Sequence, residues 1–482
     1  MKTAMPRLAF WLSAVLAWPA TFVACSSNER EGAREDLTND GGPALPETGP
    51  TPESDASAPA DAATEKPPFD PNDEPVTCAG TPCAVQLVAG ERHFCARMSD
   101  GTVRCWGDNT RGSLGIDDPG VSGPSTDAGD AASNAWTAPV VTDLEGATQI
   151  SAGGTTSCAL AGDAAVRCWG GNDLAQLGLS TDGPFMDEDR HPTPSPVGLP
   201  SGALRIDLGP TSACATLESG EVWCWGDNRR KQLARPIASL AEAPGPAELD
   251  GLSVTRTALG TSTGFAITTA GELVSWGQVA GAEGSVSGRE TSLTPNHQPV
   301  AIGLGPVTSF SVSATTLVRV SDAPRPPGAP LPPLRGIGHA CAVVSGEVFC
   351  WGDTHMGALG IGLAMSSILP RRALVKSESA WPQQVAAAGD LTCIRLTDGT
   401  VQCAGDNAFA ALGRDPKVRF STGFEPTEGL DGHAVAIAAA AQSVCALLKD
   451  GHVACWGSNE KGELGQGFRD HEPHPSPVLV RF

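Results

Sequence analysis

Cysteine is the residue type with the most chemistry to offer in this sequence, and its spacing narrows which chemistry that is. There are fifteen cysteines. Twelve fall into pairs nine or ten positions apart: Cys95 and Cys105, Cys158 and Cys168, Cys214 and Cys224, Cys341 and Cys350, Cys393 and Cys403, Cys445 and Cys455. Zinc sites built from cysteine draw on two closely spaced CxxC pairs, a pattern these intervals do not match. A further copy of the same frame, Phe265-Ala266 to Ser275-Trp276-Gly277, has lost both cysteines together. Separate roles would not require joint loss, whereas either half of a disulfide is useless alone. Each pair is therefore read as a bridge, with Cys78 and Cys83 as one more, leaving Cys25.

The elements needed to hold such bridges follow from turn lengths. With Cys95 opposite Cys105, pairing inward leaves a three-residue loop, Ser99-Asp100-Gly101, with glycine where a left-handed backbone is wanted. Cys341 and Cys350 are one residue closer, and pairing inward leaves the two-residue turn Ser345-Gly346. Both lengths keep the cysteines face to face on an antiparallel hairpin, close enough to bond. Each bridge closing about ten residues is worth roughly 2 to 3 kcal/mol by constraining the unfolded chain.

Around each hairpin the same sentence recurs. An apolar stretch ends in a small residue or Gly (Val88-Ala89-Gly90, Ile150-Ser151-Ala152-Gly153), the hairpin closes with Cys-Trp-Gly, and most copies continue with Gly-x-Leu-Gly or a variant and a Pro-Val strand. The segments are short, β-branched and punctuated by Gly and Pro, with no sustained helical period. A four-stranded blade is the natural unit, and radial repetition of blades protects sheet edges, so the inference is an all-β propeller.

Gly90 to Ala96, Asp100 to Asn109 and Gly112 to Gly115 together resemble the repeat of the regulator of chromosome condensation family, in the cysteine-bearing version found in exported bacterial proteins. The resemblance spans residues 78–482 and implies a seven-bladed β-propeller. It also implies, as one reading of activity, guanine-nucleotide exchange on a small GTPase. The final Pro477-Val478-Leu479-Val480 matches the strand read as opening each unit and is expected to pair with the first blade. The interval from Phe265 to Cys341 is long, 76 residues against 51 to 63 elsewhere. Val307 to Val320 alternates like two strands and Pro-rich Ala323 to Pro333 follows, so residues 278–335 are read as an insertion, with a degenerate eighth unit as the alternative.

The first 77 residues are different material. Lys2 and Arg7 precede an apolar run from Leu8 to Trp18, too short to span a bilayer, and then Phe22-Val23-Ala24-Cys25. This resembles a bacterial lipobox, with Phe22 departing from the usual leucine, so residues 1–25 read as a lipoprotein signal peptide and Cys25 as its lipidated cysteine. Such export permits disulfides. Residues 26–77 hold nine prolines and 13 acidic against 3 basic side chains, and read as a disordered tether. With −10 in that linker and +2 before it, −14 of the chain's −22 falls on the repeats.

Most hallmark residues have structural work to do. Trp106, Trp169, Trp225, Trp276, Trp351 and Trp456 suit a wedge between blades. Asp108-Asn109, Asp227-Asn228 and Asp406-Asn407 precede turns whose backbone they can bond. His93 and His339 occupy equivalent places and read as buried, hydrogen-bonded imidazoles. Metal and cofactor sites are not expected. No phosphate-binding loop, nucleophile elbow or HExxH helix occurs. Propeller sialidases depend on a tyrosine nucleophile, and this chain has no tyrosine.

The expected function is therefore that of a non-enzymatic, exported, lipid-anchored module in the cell envelope, monomeric, touching the membrane through its lipid alone. It would bind another protein through one loop face. Secretion without an anchor is the alternative location, and GTPase exchange the alternative activity. Nucleic acid, which wants basic surface, is disfavoured by the acidic charge. The loops after Gly-x-Leu-Gly vary most: Ile116 to Asn134 carries Asp117, Asp118, Asp127 and Asp130, and Leu179 to Pro194 carries Asp182, Asp187, Glu188 and Asp189. Phe185 and Met186 in the second are the candidate anchors, followed by Trp381 and Trp136.

Overall fold

In the computed structural model, the described residues are 66–118, 136–180, 182–278, 286–290, 294–319 and 334–482. The signal segment with Cys25, the linker to residue 65, most of the first acidic loop and the Pro-rich 323–333 lie outside them. What is described belongs to one compact unit running from Ala63 to Phe482.

The described residues form seven antiparallel sheets, each a blade whose strands a, b, c and d follow one another in sequence from the axis outward. Blade 1 has a at Ala84–Ala89, b at His93–Met98 and c at Val103–Gly107, with its d strand reduced to a bridge between Arg104 and Val140. Blade 7 runs Ala434–Ala439, Ser443–Leu448, Val453–Gly457 and His474–Leu479. Burial follows this order. The b strands Thr156–Ala161, Ser212–Leu217, Leu391–Leu396 and Ser443–Leu448 are buried along their whole length, because both of their faces meet neighbouring blades.

The hairpin registers follow the turn chemistry. Cys95 faces Cys105 and Cys341 faces Cys350, each bridged, with Cα atoms 4.1 Å apart. Gly101 takes φ +82°, and Ser345 and Gly346 are both left-handed. The glycine after each tryptophan has its own reason. Gly107 sits at φ +104°, and a Cβ there would lie 2.5 Å from the Arg92 carbonyl. The bridges lie in six of the seven blades, plus Cys78–Cys83. In blade 4 Phe265 faces Ser275 instead and packs 4.8 Å from Phe310 of blade 5.

Two expectations about the ends need correction. The Pro477–Val480 segment pairs within its own blade, Val478 opposite Cys455, rather than with blade 1. Such Pro-Val segments end a blade instead of opening one. The ring closes by packing and main-chain bonds: Ala138 N–H to Arg481 O (2.8 Å), Ala441 N–H to Glu91 O (2.9 Å), and Arg92 paired with Glu460 and Glu463. Phe482 packs edge-on against Trp106.

The second correction concerns residues 66–77, which the composition assigns to the linker. They form an arm laid over the face that carries the b–c hairpins. Trp381 Nε1–H donates to Pro67 O, Arg395 pairs with Asp73, Lys449 with Glu74, and Thr77 N–H bonds Lys449 O. The arm needs little apolar surface because backbone and ion-pair partners hold it.

The long interval resolves as an addition to blade 5. Val307–Val312 is that blade's a strand, and Thr316–Arg319 pairs with the N-terminal part of an elongated b strand, Leu334–Val344. No eighth sheet occurs among the described residues.

Candidate functional site

Blade-to-blade contacts are made by the repeat residues themselves. The Trp106, Trp169, Trp225, Trp276, Trp351 and Trp456 rings are fully buried. Each indole N–H donates to a carbonyl of the preceding blade: Glu463, Ser113, Gln176, Gln232, Val286 and Ala411 respectively, at 2.7–2.9 Å. Blade 6 has Ala404 in place of tryptophan, and Phe424 fills the space beside Gly360. Asn109, Asn172, Asn228, Asn407 and Asn459 each accept a main-chain N–H from the leucine five residues on, which locks the Gly-x-Leu-Gly turn.

His93 and His339 are likewise buried joints between blades. His93 Nε2 meets Ser157 Oγ at 2.8 Å, and His339 meets Thr392 Oγ1 at 2.6 Å and Ser313 Oγ at 3.3 Å. Burial lowers both imidazoles to about 4, with Asp108 and Asp390 opposing weakly, so both rings are neutral at pH 7. Among the described residues, no group of three or more His, Cys, Asp or Glu could hold a metal ion.

Repeat residues being thus committed, a binding surface must come from what the repeat leaves exposed. Phe185 and Met186 are 50% and 39% exposed at the start of the outer strand of blade 2. Their surroundings are more ordered than a loop, because Asp187–Pro196 is a long d strand in which Asp187 pairs with His191 and Arg111 reaches Glu188 O. Trp381 and Trp136 are not free anchors. Trp381 lies under Lys66, Pro67 and Phe69 of the arm, and Trp136 packs between blades 1 and 7 against Gly467.

A larger apolar surface lies where blades 5 and 6 adjoin, and the sequence reading missed it. Of sixteen exposed large apolar side chains among the described residues, seven are here: Leu363, Met365, Ile368, Leu369 and Leu374 from blade 5, Val418 and Phe420 from blade 6. The blade 5 segment is seated against the outer strand of blade 6 through Gly362 N–H to Thr422 O (2.7 Å), so the residues share one stretch of rim. Arg371, Arg372, Lys376, Lys417 and Arg419, all exposed, lie beside these residues in sequence on a chain of net charge −22. Arg372, Lys376 and Lys417 pair with Glu347, Glu425 and Asp415, exposed pairs of small worth that a stronger acidic partner could replace. The signal in the sequence was the set Leu363, Met365, Ile368, Leu369 and Leu374 in and around the outer strand Ser367–Arg372, a place that normally faces water.

The profile described as "Regulator of chromosome condensation (RCC1) repeat" matches residues 84–113, 147–176, 205–232 and 434–463, within blades 1, 2, 3 and 7. The unmatched blades are the one without cysteines, the one with the added strand and the one without tryptophan. The ultraviolet-B receptor UVR8 of Arabidopsis thaliana is 26% identical over 340 residues, 69% of each chain. The human E3 ubiquitin-protein ligase HERC2 is 27% identical over 295 residues, 54% of this chain and 6% of that protein. The crystal structure of Prp20p from Saccharomyces cerevisiae superposes with a TM-score of 0.61 at 16% identity, covering 83% of this chain and 87% of that one.

Proposed function

From the match of blades 1, 2, 3 and 7 to the regulator of chromosome condensation (RCC1) repeat, we propose that this propeller is a non-catalytic module that binds another protein through the rim of blades 5 and 6. The observation that carries this reading is the concentration of exposed apolar side chains there, with five cations and their paired carboxylates beside them in sequence. Apolar anchors with complementary charge at the edge are how protein interfaces gain affinity and selectivity. The partner that fits is a protein surface with apolar contacts and acidic flanks.

The module acts outside the cytoplasm, held to the cell envelope by lipid on Cys25. Seven disulfides support an oxidising compartment, where such bridges persist. Fatty-acid labelling that survives Cys25→Ser would refute the anchor.

Crosslinking in the native envelope followed by mass spectrometry tests the rim. The Leu369→Glu/Phe420→Glu variant should keep its fold, because both positions are exposed, yet lose the partner captured by the unaltered chain. A partner retained at full yield by that variant would remove the rim from consideration. Nucleotide-exchange assays on a small GTPase separate this from the exchange-factor reading. That reading comes from the family resemblance; the structure of Prp20p is described together with its binding properties to Gsp1p and histones.

A further inference from the structure

Every inner strand carries a β-bulge near its start, and the bulge aims one side chain along the ring. In three blades that residue is glutamine. Gln86, Gln149 and Gln384 each bracket the backbone of the next inner strand, bonding both N–H and C=O of Ile150, Ile206 and Ile437. In blade 4 the same place is held by Arg256, paired in register with Ile267 as Gln149 is with Leu160.

Arg256 lines a cavity of about 350 Å³ on the propeller axis. Its Nε is buried with no hydrogen-bond partner among the described residues. Two carboxylates line the same chamber, and both make their hydrogen bonds to other groups. Asp207 accepts Arg205 Nε on both oxygens (2.8 and 3.0 Å) and the N–H and hydroxyl of Thr257 (both 3.0 Å). Asp73 pairs with Arg395. Asp207 serves Arg205 by hydrogen bond and Arg256 by charge alone, so three arginines share two acids and a further anion would relieve the imbalance.

Neighbouring donors are also unused. Ser309 and Ser311 accept the N–H groups of Val385 and Ala387, so among the described residues neither hydroxyl proton has an acceptor, and both residues line the chamber. The arm residues Pro71 and Asp73 lie at one end of this cavity. A second axial cavity of about 500 Å³, lined largely by glycine, alanine and threonine, adjoins it through the shared inner-strand residues Ala89, Ala152, Leu208 and Leu259 and offers an approach.

We propose that this axial chamber binds a small oxyanion, a carboxylate or phosphate, gripped by the Arg256 guanidinium with the Ser309 and Ser311 hydroxyls. Guanidinium and hydroxyl donors suit two or three oxygens on one centre. The anion could arrive free or as the terminal carboxylate of a peptide threaded along the axis.

The test is calorimetric titration of the oxidised full chain, at fixed ionic strength, with inorganic phosphate and with a short peptide ending in a free acid or an amide. The unaltered chain should bind phosphate or the free-acid peptide saturably, one per propeller. Preference for the free acid over its amide assigns the carboxylate source, and phosphate binding alone assigns the free anion. Arg256→Gln should weaken binding at least tenfold. It should also raise Tm in anion-free buffer, because glutamine there can bridge to blade 5 as it does in three other blades. Ser311→Ala, which removes only a hydroxyl, should weaken binding several-fold and serves if the arginine variant does not fold. Absence of saturable binding to both probes, or binding unchanged in Arg256→Gln and Ser311→Ala, overturns the proposal.

Discussion

Replacing His93 and His339 together by glutamine should flatten the acid limb of this protein's stability profile. Both imidazoles titrate near 6.5 in the unfolded chain and at about 4 when folded, because burial penalises the cation. The unfolded state therefore binds protons first as pH falls. Stability from these groups is complete above about 6.5 and drains away as pH drops toward 4. From those two values, each histidine costs about 2 kcal/mol by pH 5 and about 3 kcal/mol by pH 4. They sit in blades 1 and 5 with no shared partner, so their effects should add, giving about 4 kcal/mol at pH 5. Glutamine, whose amide reaches about as far as Nε2, can still bond Ser157 or Thr392 but cannot titrate. Guanidinium unfolding of both proteins at pH 7.5, 6, 5 and 4.5 reads the difference directly, since carboxylates contribute alike to each. Acid limbs that run parallel within about 1 kcal/mol would refute the claim that these imidazoles are buried and neutral.

Two further outcomes follow from the packing. Phe265→Cys/Ser275→Cys should form a bridge in blade 4, because the two positions already face each other as the cysteines do elsewhere. The gain of about 3 kcal/mol from closing the loop is offset by about 3–5 kcal/mol for losing Phe265 beside Phe310, so thiol titration should find no added free thiol and stability should change by no more than about 2 kcal/mol. Asp73→Ala should cost about 1–2 kcal/mol in a guanidinium midpoint series, since it leaves the Arg395 side chain, 0% exposed, without its carboxylate. Asp73→Ala/Arg395→Met should recover most of that loss, and a double variant no better than the single would show that the arm is held by its other contacts.

The hairpins were legible because turn length and side-chain period are local. Ser345-Gly346 and Ser99-Asp100-Gly101 each admit one pairing that keeps cysteines opposed, and the strands adopt it. The arm was illegible for the opposite reason. Its composition resembles disordered sequence, and its order comes from Arg395, Lys449 and Trp381, more than 300 positions away. Trp381 misled for the same cause, being a large aromatic whose cover lies at the other end of the described chain. Pro477–Val480 misled because a repeat can be cut at any point of its period without changing its appearance.

What the sequence determined by itself was the blade: its turns, its bridges, its tryptophan wedge and the number of copies, all set by residues close along the chain. Tertiary structure alone decided what adjacent blades do to one another. Residues alike in the repeat, such as Gln149 and Arg256, acquire different fates once the ring supplies or withholds a partner. The exposed rim of blades 5 and 6 has the same origin. Leu363, Ile368, Val418 and Phe420 are unremarkable apart, and become a surface only because ring closure sets the two blades side by side.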